Sequence, residues 1–257
     1  MSSDTVRVER LGAVWTLQMH NPAQRNALQP ETSRALAFAL DEAAHDAQCR
    51  IVVLHGAGGT FCSGGDLSAI ARQQERPAAE QLERLTAINE CIRALRRCGR
   101  PVIAAVEGHA AGAGASIALT CDLIVAARTA RFAIAHVRVG VSPDGGATLA
   151  LARALPLQQA AEWMLTGAPV DAERLHAVGL VNRLCDEGEA VAQALHWAED
   201  LATGPADAVA RIKTLLNAAY WPTLDAQLER ERESFVAAMM SDESKRRVRR
   251  FLDKGAK

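Results

Sequence analysis

Two glycine-rich stretches hold the residues with the most chemical promise: GAGGTFCSGGDL (56–67) and GHAAGAG (108–114). Each follows a short apolar run, IVVLHG (51–56) and VIAAVEG (102–108), and the second opens the apolar segment Ala115–Thr120. A loop that passes from a buried strand into a helix leaves backbone N–H groups uncovered at the helix N-terminus. Donors of that kind stabilise an oxygen that gains negative charge during a reaction. One such loop is ordinary turn chemistry; two beside core strands point to a site. A third feature is the turn SPDGG (142–146), where Asp144 reads on local grounds as a turn residue or helix N-cap.

Familiar motifs do not account for these loops. None of the lysines (Lys213, Lys245, Lys254, Lys257) follows a glycine, so there is no phosphate-binding P-loop. GAGASI (112–117) lacks the last glycine of G-x-G-x-x-G, and no acid lies between Asp122 and Asp144 to hold a ribose. Ser116 sits in GASIA, which is not the G-x-S-x-G of a hydrolase elbow. The six cysteines form no C-x-x-C and the seven histidines no H-E-x-x-H, so neither zinc nor a disulfide scaffold is expected.

The elements that must position the loops follow from periodicity. Val6–Leu11 and the run 13–20 read as opening strands, the second alternating in character. Pro30 suits the first turn of a helix reaching about residue 47. Runs 51–56, 102–108 and DLIVAA (122–127) read as buried parallel strands. Leu82, Leu85, Ile88, Ile92 and Leu95 give a helical stripe, and beyond residue 147 the pattern is mostly helical. Strands alternating with helices, followed by a helical tail, make this an α/β chain.

Composition narrows the function. With 257 residues, 49% hydrophobic and 23% charged, a sizeable core is available. Net charge is −1 and aromatics are 4%, which disfavours nucleic acid and an anionic membrane as partners. The charge-free run 108–121 is too short and glycine-broken to span a bilayer, and MSSDTVRVER lacks a signal-peptide core. The expectation is a soluble, cytoplasmic protein.

Five segments in order carry a resemblance: HNPAQRNAL (20–28), TFCSGGDL (60–67), the stretch 101–127, ARFAIAHVRVGVSPDGG (130–146) and LTGAPVDAERLHAVGLVNRL (165–184). RRFLDK (249–254) resembles a closing helix. Together they resemble the crotonase (enoyl-CoA hydratase/isomerase) superfamily from about residue 6 to residue 254. The resemblance implies a spiral of ββα units over residues 1–200 and a helical trimerisation region over 201–257. It implies an acyl-CoA thioester as substrate, no other cofactor, and a homotrimer or dimer of trimers.

By position, the resemblance assigns the oxyanion-binding N–H groups to Gly65 and Ala113. It places CoA near Arg25, Ser63, Asp66, Leu67, Phe251 and Lys254. The surroundings of Asp66, immediately after the loop, also read as structural. Residues 241–257 carry seven basic groups against three acidic ones, which suits a small polyanion.

The two glutamates of typical hydratases correspond to Ser116 and His136, neither a carboxylate. Asp144 matches instead the aspartate of dienoyl-CoA isomerases, ring-epoxide isomerases and, as a nucleophile, chlorobenzoyl-CoA dehalogenases. It becomes the candidate acid/base, with Val139, Val141 and Leu149 as candidate walls and His136 as a second acid/base, an orienting group or a wall. Ser116 reads as a packed or hydrogen-bonded helix residue. The expected function is an enoyl-CoA isomerase/hydratase of fatty-acid or aromatic-acid degradation. A non-catalytic CoA- or RNA-binding homologue is the alternative, as is a two-step hydratase or dehalogenase-like enzyme using Asp144.

Overall fold

The structure, a computed structural model, describes residues 5–66 and 78–219, without the side chains of 78–84. Strands β1 (Val6–Leu11) and β2 (Val14–Met19) form a hairpin, and α1 (Pro30–His45) leads to β3 (Ile51–Gly56). Helix α2 (Ala78–Arg97) precedes β4 (Val102–Val106), β5 (His109–Ala111) and α3 (Ala113–Thr120). Strands β6 (Leu123–Ala127) and β7 (Arg131–Ala133) lead to a 3-10 turn at Ala135–Val139. Then come α4 (Ala147–Ala154), α5 (Leu157–Thr166), β8 (Val170–Asp171) and α6 (Ala172–Ala177). Strand β9 (Arg183–Cys185), α7 (Ala190–Ala202) and α8 (Ala206–Ala218) complete the described chain.

Six strands pair in the order β1-β2-β3-β4-β6-β9, parallel except at the hairpin. Their side chains alternate between two apolar faces, as a pleated strand requires. Val52, Leu54, Val102, Ala104 and Val106 join the core shared with α1, α2 and α3. Ile51, Val53, Ile103, Ala105 and Val125 face the other way, where Ala190, Ala194 and Ala198 of α7 cover them. Alanine at every fourth position puts a smooth stripe on the helix and lets it lie close to the sheet.

A second ladder, β5-β7-β8, runs beside the main sheet. Core strand β4 is followed by β5 and core strand β6 by β7, and these followers pair in parallel. After β3 the chain makes the same move, with an isolated bridge between Cys62 and Ala110. Each turn of the spiral thus lays down a core strand and then a short outer one. Periodicity suggests a loop at 108–114 and mostly helix after residue 147; the outer strands β5 and β8, and the core edge strand β9, have two or three residues, too few to show a period. Helix α3 also begins two residues earlier than the apolar pattern indicated, at Ala113.

Helix α8 is fixed to this body by one buried cation. Lys213 Nζ lies 2.7 Å from Asp122 Oδ2 and donates to the Leu95 and Arg100 carbonyls at 2.9 and 3.0 Å. All three ammonium protons are matched, and Asp122 Oδ2 also accepts the Val102 N–H at 2.8 Å. The remainder of the expected C-terminal region, 220–257, lies outside the described residues.

The six cysteines are free and buried. Burial pushes the Cys62 and Cys91 thiols up to about 12. Among the described residues no helix is long and apolar enough to cross a membrane.

Two outcomes follow from these contacts. Lys213→Ala strands a carboxylate that is about four-fifths buried, and urea denaturation should show a loss of about 3 kcal/mol; a change under 1 kcal/mol would contradict the anchoring role. Thiols protonated to about pH 12 when folded but only to 9 when unfolded support the fold below pH 9 and lose that contribution as pH rises toward 12. A thiol reagent at pH 8 should therefore leave native Cys62 and Cys91 unlabelled and modify both in denaturant.

Candidate functional site

The two glycine-rich loops, the 3-10 turn and the Asp144 turn close around one cavity of about 450 Å³. Its wall includes Leu28, Gly65, Ile88, Ala113, His136 and Asp144. Of the wall candidates, Val139 and Val141 line it, whereas Leu149 does not. Leu149 lies on the first turn of α4 and is half exposed. Apolarity alone marked it as a wall, but helical direction turns its side chain elsewhere.

The Gly65 N–H is aimed by the bond on the other side of its peptide. The Gly64 carbonyl accepts the Leu28 N–H at 2.7 Å, and the Leu28 carbonyl accepts the Asp66 N–H at 3.3 Å. A planar trans peptide points C=O and N–H in opposite directions. Holding the Gly64 oxygen toward Leu28 therefore turns the Gly65 N–H away from it. The Ala113 N–H is fixed in the same manner. The Gly112 carbonyl accepts the Ser116 N–H at 3.1 Å inside the helix, so the N–H of that peptide projects from the α3 N-terminus. Among the described residues, neither N–H donates to a backbone carbonyl.

The loops meet backbone to backbone. A Cβ on Gly64, whose φ is +91°, would sit 2.7 Å from the Ala111 oxygen and 3.4 Å from Gly112 Cα. No other residue fits there without moving one loop. Cys62 adds two rungs, donating its N–H to His109 and accepting that of Ala111, both at 2.9 Å.

Asn26 is the residue that motif reading passed over. It is 1% exposed, and its Nδ2 donates to the Ala57 and Thr60 carbonyls at 2.9 and 2.7 Å. Its Oδ1 accepts the Asn21 N–H at 2.9 Å. The side chain thus clamps the first glycine loop to the turn that carries Leu28. Asparagine tolerates the left-handed φ of +54° found there. Nothing in R-N-A-L by itself marks Asn26, because the carbonyls it bonds lie 31 and 34 residues away.

The acid/base candidates come together. His136 Nε2 lies 3.0 Å from Asp144 Oδ1. His136 is 8% exposed and the Asp144 side chain 29% exposed. His136 Nδ1 is buried and, among the described residues, has no hydrogen-bond partner. A proton on Nδ1 would have no acceptor, so the hydrogen bonding places the proton on Nε2, donated to the carboxylate. The imidazole and the carboxylate thus form one hydrogen-bonded pair at the cavity wall. Ser116, 1% exposed, donates from Oγ to the Asp144 carbonyl at 3.0 Å and approaches the Gly112 carbonyl at 3.3 Å.

The residues expected to meet CoA are less concentrated. Ser63 lines the cavity, and its N–H bonds the Arg25 carbonyl at 3.0 Å. Arg25 is exposed and outside the lining. Asp66 is buried, accepts from Gln29 Nε2 at 3.4 Å and is also outside the lining. Leu67, Phe251 and Lys254 lie outside the described residues. Among the described residues no cluster of metal-ligating side chains occurs.

Two available N–H donors, a carboxylate held by an imidazole and apolar walls suit a substrate whose carbonyl becomes anionic as a nearby C–H proton leaves. The enoyl-CoA hydratase/isomerase family model matches residues 9–257. The chain is 35% identical over 244 residues to an Escherichia coli 1,2-epoxyphenylacetyl-CoA isomerase, covering 94% of this chain and 92% of that one. It is 32% identical to the enoyl-CoA hydratase EchA19 of Mycobacterium tuberculosis, covering 97% and 94%. A crystal structure of an enoyl-CoA hydratase from Polaromonas sp. JS666 superposes with a TM-score of 0.95 at 39% identity, covering 97% of each chain. Order of motifs, spiral fold and sequence match agree along the chain, which belongs to the enoyl-CoA hydratase/isomerase (crotonase) family and is an enzyme of it.

Proposed function

We propose that the enzyme isomerises enoyl-CoA thioesters, with Asp144 as the single acid/base and the Gly65 and Ala113 N–H groups as the oxyanion hole. The observation that carries this reading is the His136-held Asp144 carboxylate facing the cavity that both donors line. Among the described lining residues it is the one carboxylate. Syn-hydration asks for two groups, one to activate water and one to protonate carbon. Moving a double bond asks for one. Asp144 takes the proton from the α-carbon of a 3-enoyl thioester, electrons shift to the carbonyl oxygen, and the dienolate forms between the two N–H donors. The same carboxyl then returns the proton at the γ-carbon, leaving the 2-enoyl thioester.

Each donor aimed at the dienolate oxygen contributes about 3–4 kcal/mol to lowering the barrier. His136 keeps its proton and donates it to Asp144 throughout, orienting the lone pair that does the work. CoA enters as part of the substrate, with Arg25, Ser63, Asp66, Leu67, Phe251 and Lys254 as its contacts, and no further cofactor is required. The reading includes trimers or dimers of trimers assembled through residues 201–257, and service in fatty-acid or aromatic-acid degradation. A ring-epoxide thioester is the second reading, favoured by the name of the E. coli relative. Its carbonyl would occupy the same pair of donors.

Turnover of 3-enoyl-, 2-enoyl- and ring-epoxide phenylacetyl thioesters separates these readings. The wild type should convert the 3-enoyl thioester fastest; faster hydration of the 2-enoyl substrate would overturn the isomerase assignment. Asp144→Asn should lower kcat on the 3-enoyl substrate by about 10²–10⁴-fold, and an undiminished rate would remove Asp144 from the mechanism. Gly64→Ala, which forces the Ala111 oxygen away, should cost about 10²-fold or more in kcat/KM. Retained activity in a folded Gly64→Ala protein would show that the loop contact does not set the donors.

A further inference from the structure

We propose that Ser116 is a positioning residue that sets Asp144 relative to the Ala113 N–H, an inference that rests on the isomerase reading above. A helix serine that bonds the carbonyl four residues back is commonplace. The Ser116 hydroxyl does more than that. Its shorter contact, 3.0 Å, runs to the Asp144 carbonyl 28 residues away, and only the longer one, 3.3 Å, to Gly112. The hydroxyl has one proton to give, and the Gly112 oxygen already receives the Ser116 N–H at 3.1 Å. Donation to Asp144 is therefore the distinctive bond.

The two carbonyls it touches belong to the two halves of the chemistry. The Gly112 oxygen shares a peptide plane with the Ala113 N–H. The Asp144 oxygen belongs to the residue whose carboxyl His136 holds at 3.0 Å. Asp144 is thus gripped at the side chain by His136 and at the backbone by Ser116, with the Ala147 N–H a weaker third contact at 3.3 Å.

Packing enforces the same register. A Cβ on Gly145, φ +57°, would lie 2.8 Å from Ser116 Cβ and 3.3 Å from its Oγ. The turn therefore rests directly on the serine, and a side chain at position 145 would push the Asp144 turn off it. Below, the Ser116 carbonyl accepts Thr120 Oγ1 at 2.8 Å, so the supporting helix turn is itself braced. A small side chain that carries one hydroxyl meets both demands.

The test compares Ser116→Ala with the size-matched pair Ser116→Thr and Ser116→Val, using the full chain and a 3-enoyl-CoA substrate. Ser116→Ala should lower kcat about 10-fold or more with KM changed less than about 3-fold, and with an unaltered circular dichroism spectrum. Ser116→Thr should exceed Ser116→Val in kcat by a similar factor, because the two differ in the hydroxyl and not in bulk. In the Asp144→Asn background, Ser116→Ala should cost less than about 2-fold, since the group it positions is gone. A kcat for Ser116→Ala within 2-fold of wild type, equal rates for Thr and Val, or a full 10-fold loss retained with Asp144→Asn would each overturn the proposal. If Asp144→Asn alone keeps full activity, the isomerase reading fails first; if it is inactive while Ser116→Ala is normal, only the role of Ser116 fails.

Discussion

Everything in the site depends on two backbones meeting without side chains between them. Gly64 comes so close to the Ala111–Gly112 segment that a single added carbon would fall 2.7 Å from a carbonyl oxygen. That contact sets the spacing of the two loops, and each loop then turns one peptide so that its N–H is left over. The donors are backbone groups, so they carry no rotamer freedom and need no reorganisation when charge develops nearby. The outer ladder of the spiral exists to make the meeting possible. Cys62, β5 and β7 lie side by side because each follows a core strand of the same sheet. Asn26 ties the first loop to the turn of Leu28, whose N–H orients the Gly64–Gly65 peptide.

Against this rigid pair stands a carboxylate held at two points. His136 grips the Asp144 side chain and Ser116 its backbone. By the resemblance, the two positions that correspond to the glutamates of typical hydratases are the two residues that bond Asp144. Hydration needs two acid/base groups that act on different atoms; here both neighbours are committed to one. On the proposed reading, the two neighbours of Asp144 position one acid/base group instead of supplying two.

Much of this was legible in residue order. Apolar runs at 51–56 and 102–108 marked the core strands, because a strand buried on both faces must be apolar throughout. The glycine loops announced themselves by composition. The ordered motifs carried the family, from HNPAQRNAL to LVNRL. What escaped has physical reasons. Strands of two or three residues have no period to detect, so β5, β8 and β9 read as loop or helix. Asn26 works through carbonyls 31 and 34 residues away, and Ser116 through one 28 residues away. Such contacts are set by the fold, and nothing local in the sequence reveals them. Leu149 was apolar and near Asp144 in sequence, yet the first turn of α4 points it out of the cavity.

The central claim is geometric: one thioester oxygen sits between two fixed N–H groups while one carboxylate serves both ends of a migrating double bond. A crystal structure with a non-isomerisable acyl-CoA analogue tests it most directly. The account predicts the thioester oxygen roughly 3 Å from both the Gly65 and Ala113 nitrogens, with the Asp144 carboxyl oxygen within reach of the α- and γ-carbons and His136 still bonded to it. A thioester oxygen bound elsewhere, or a different side chain over the α-carbon, would contradict it.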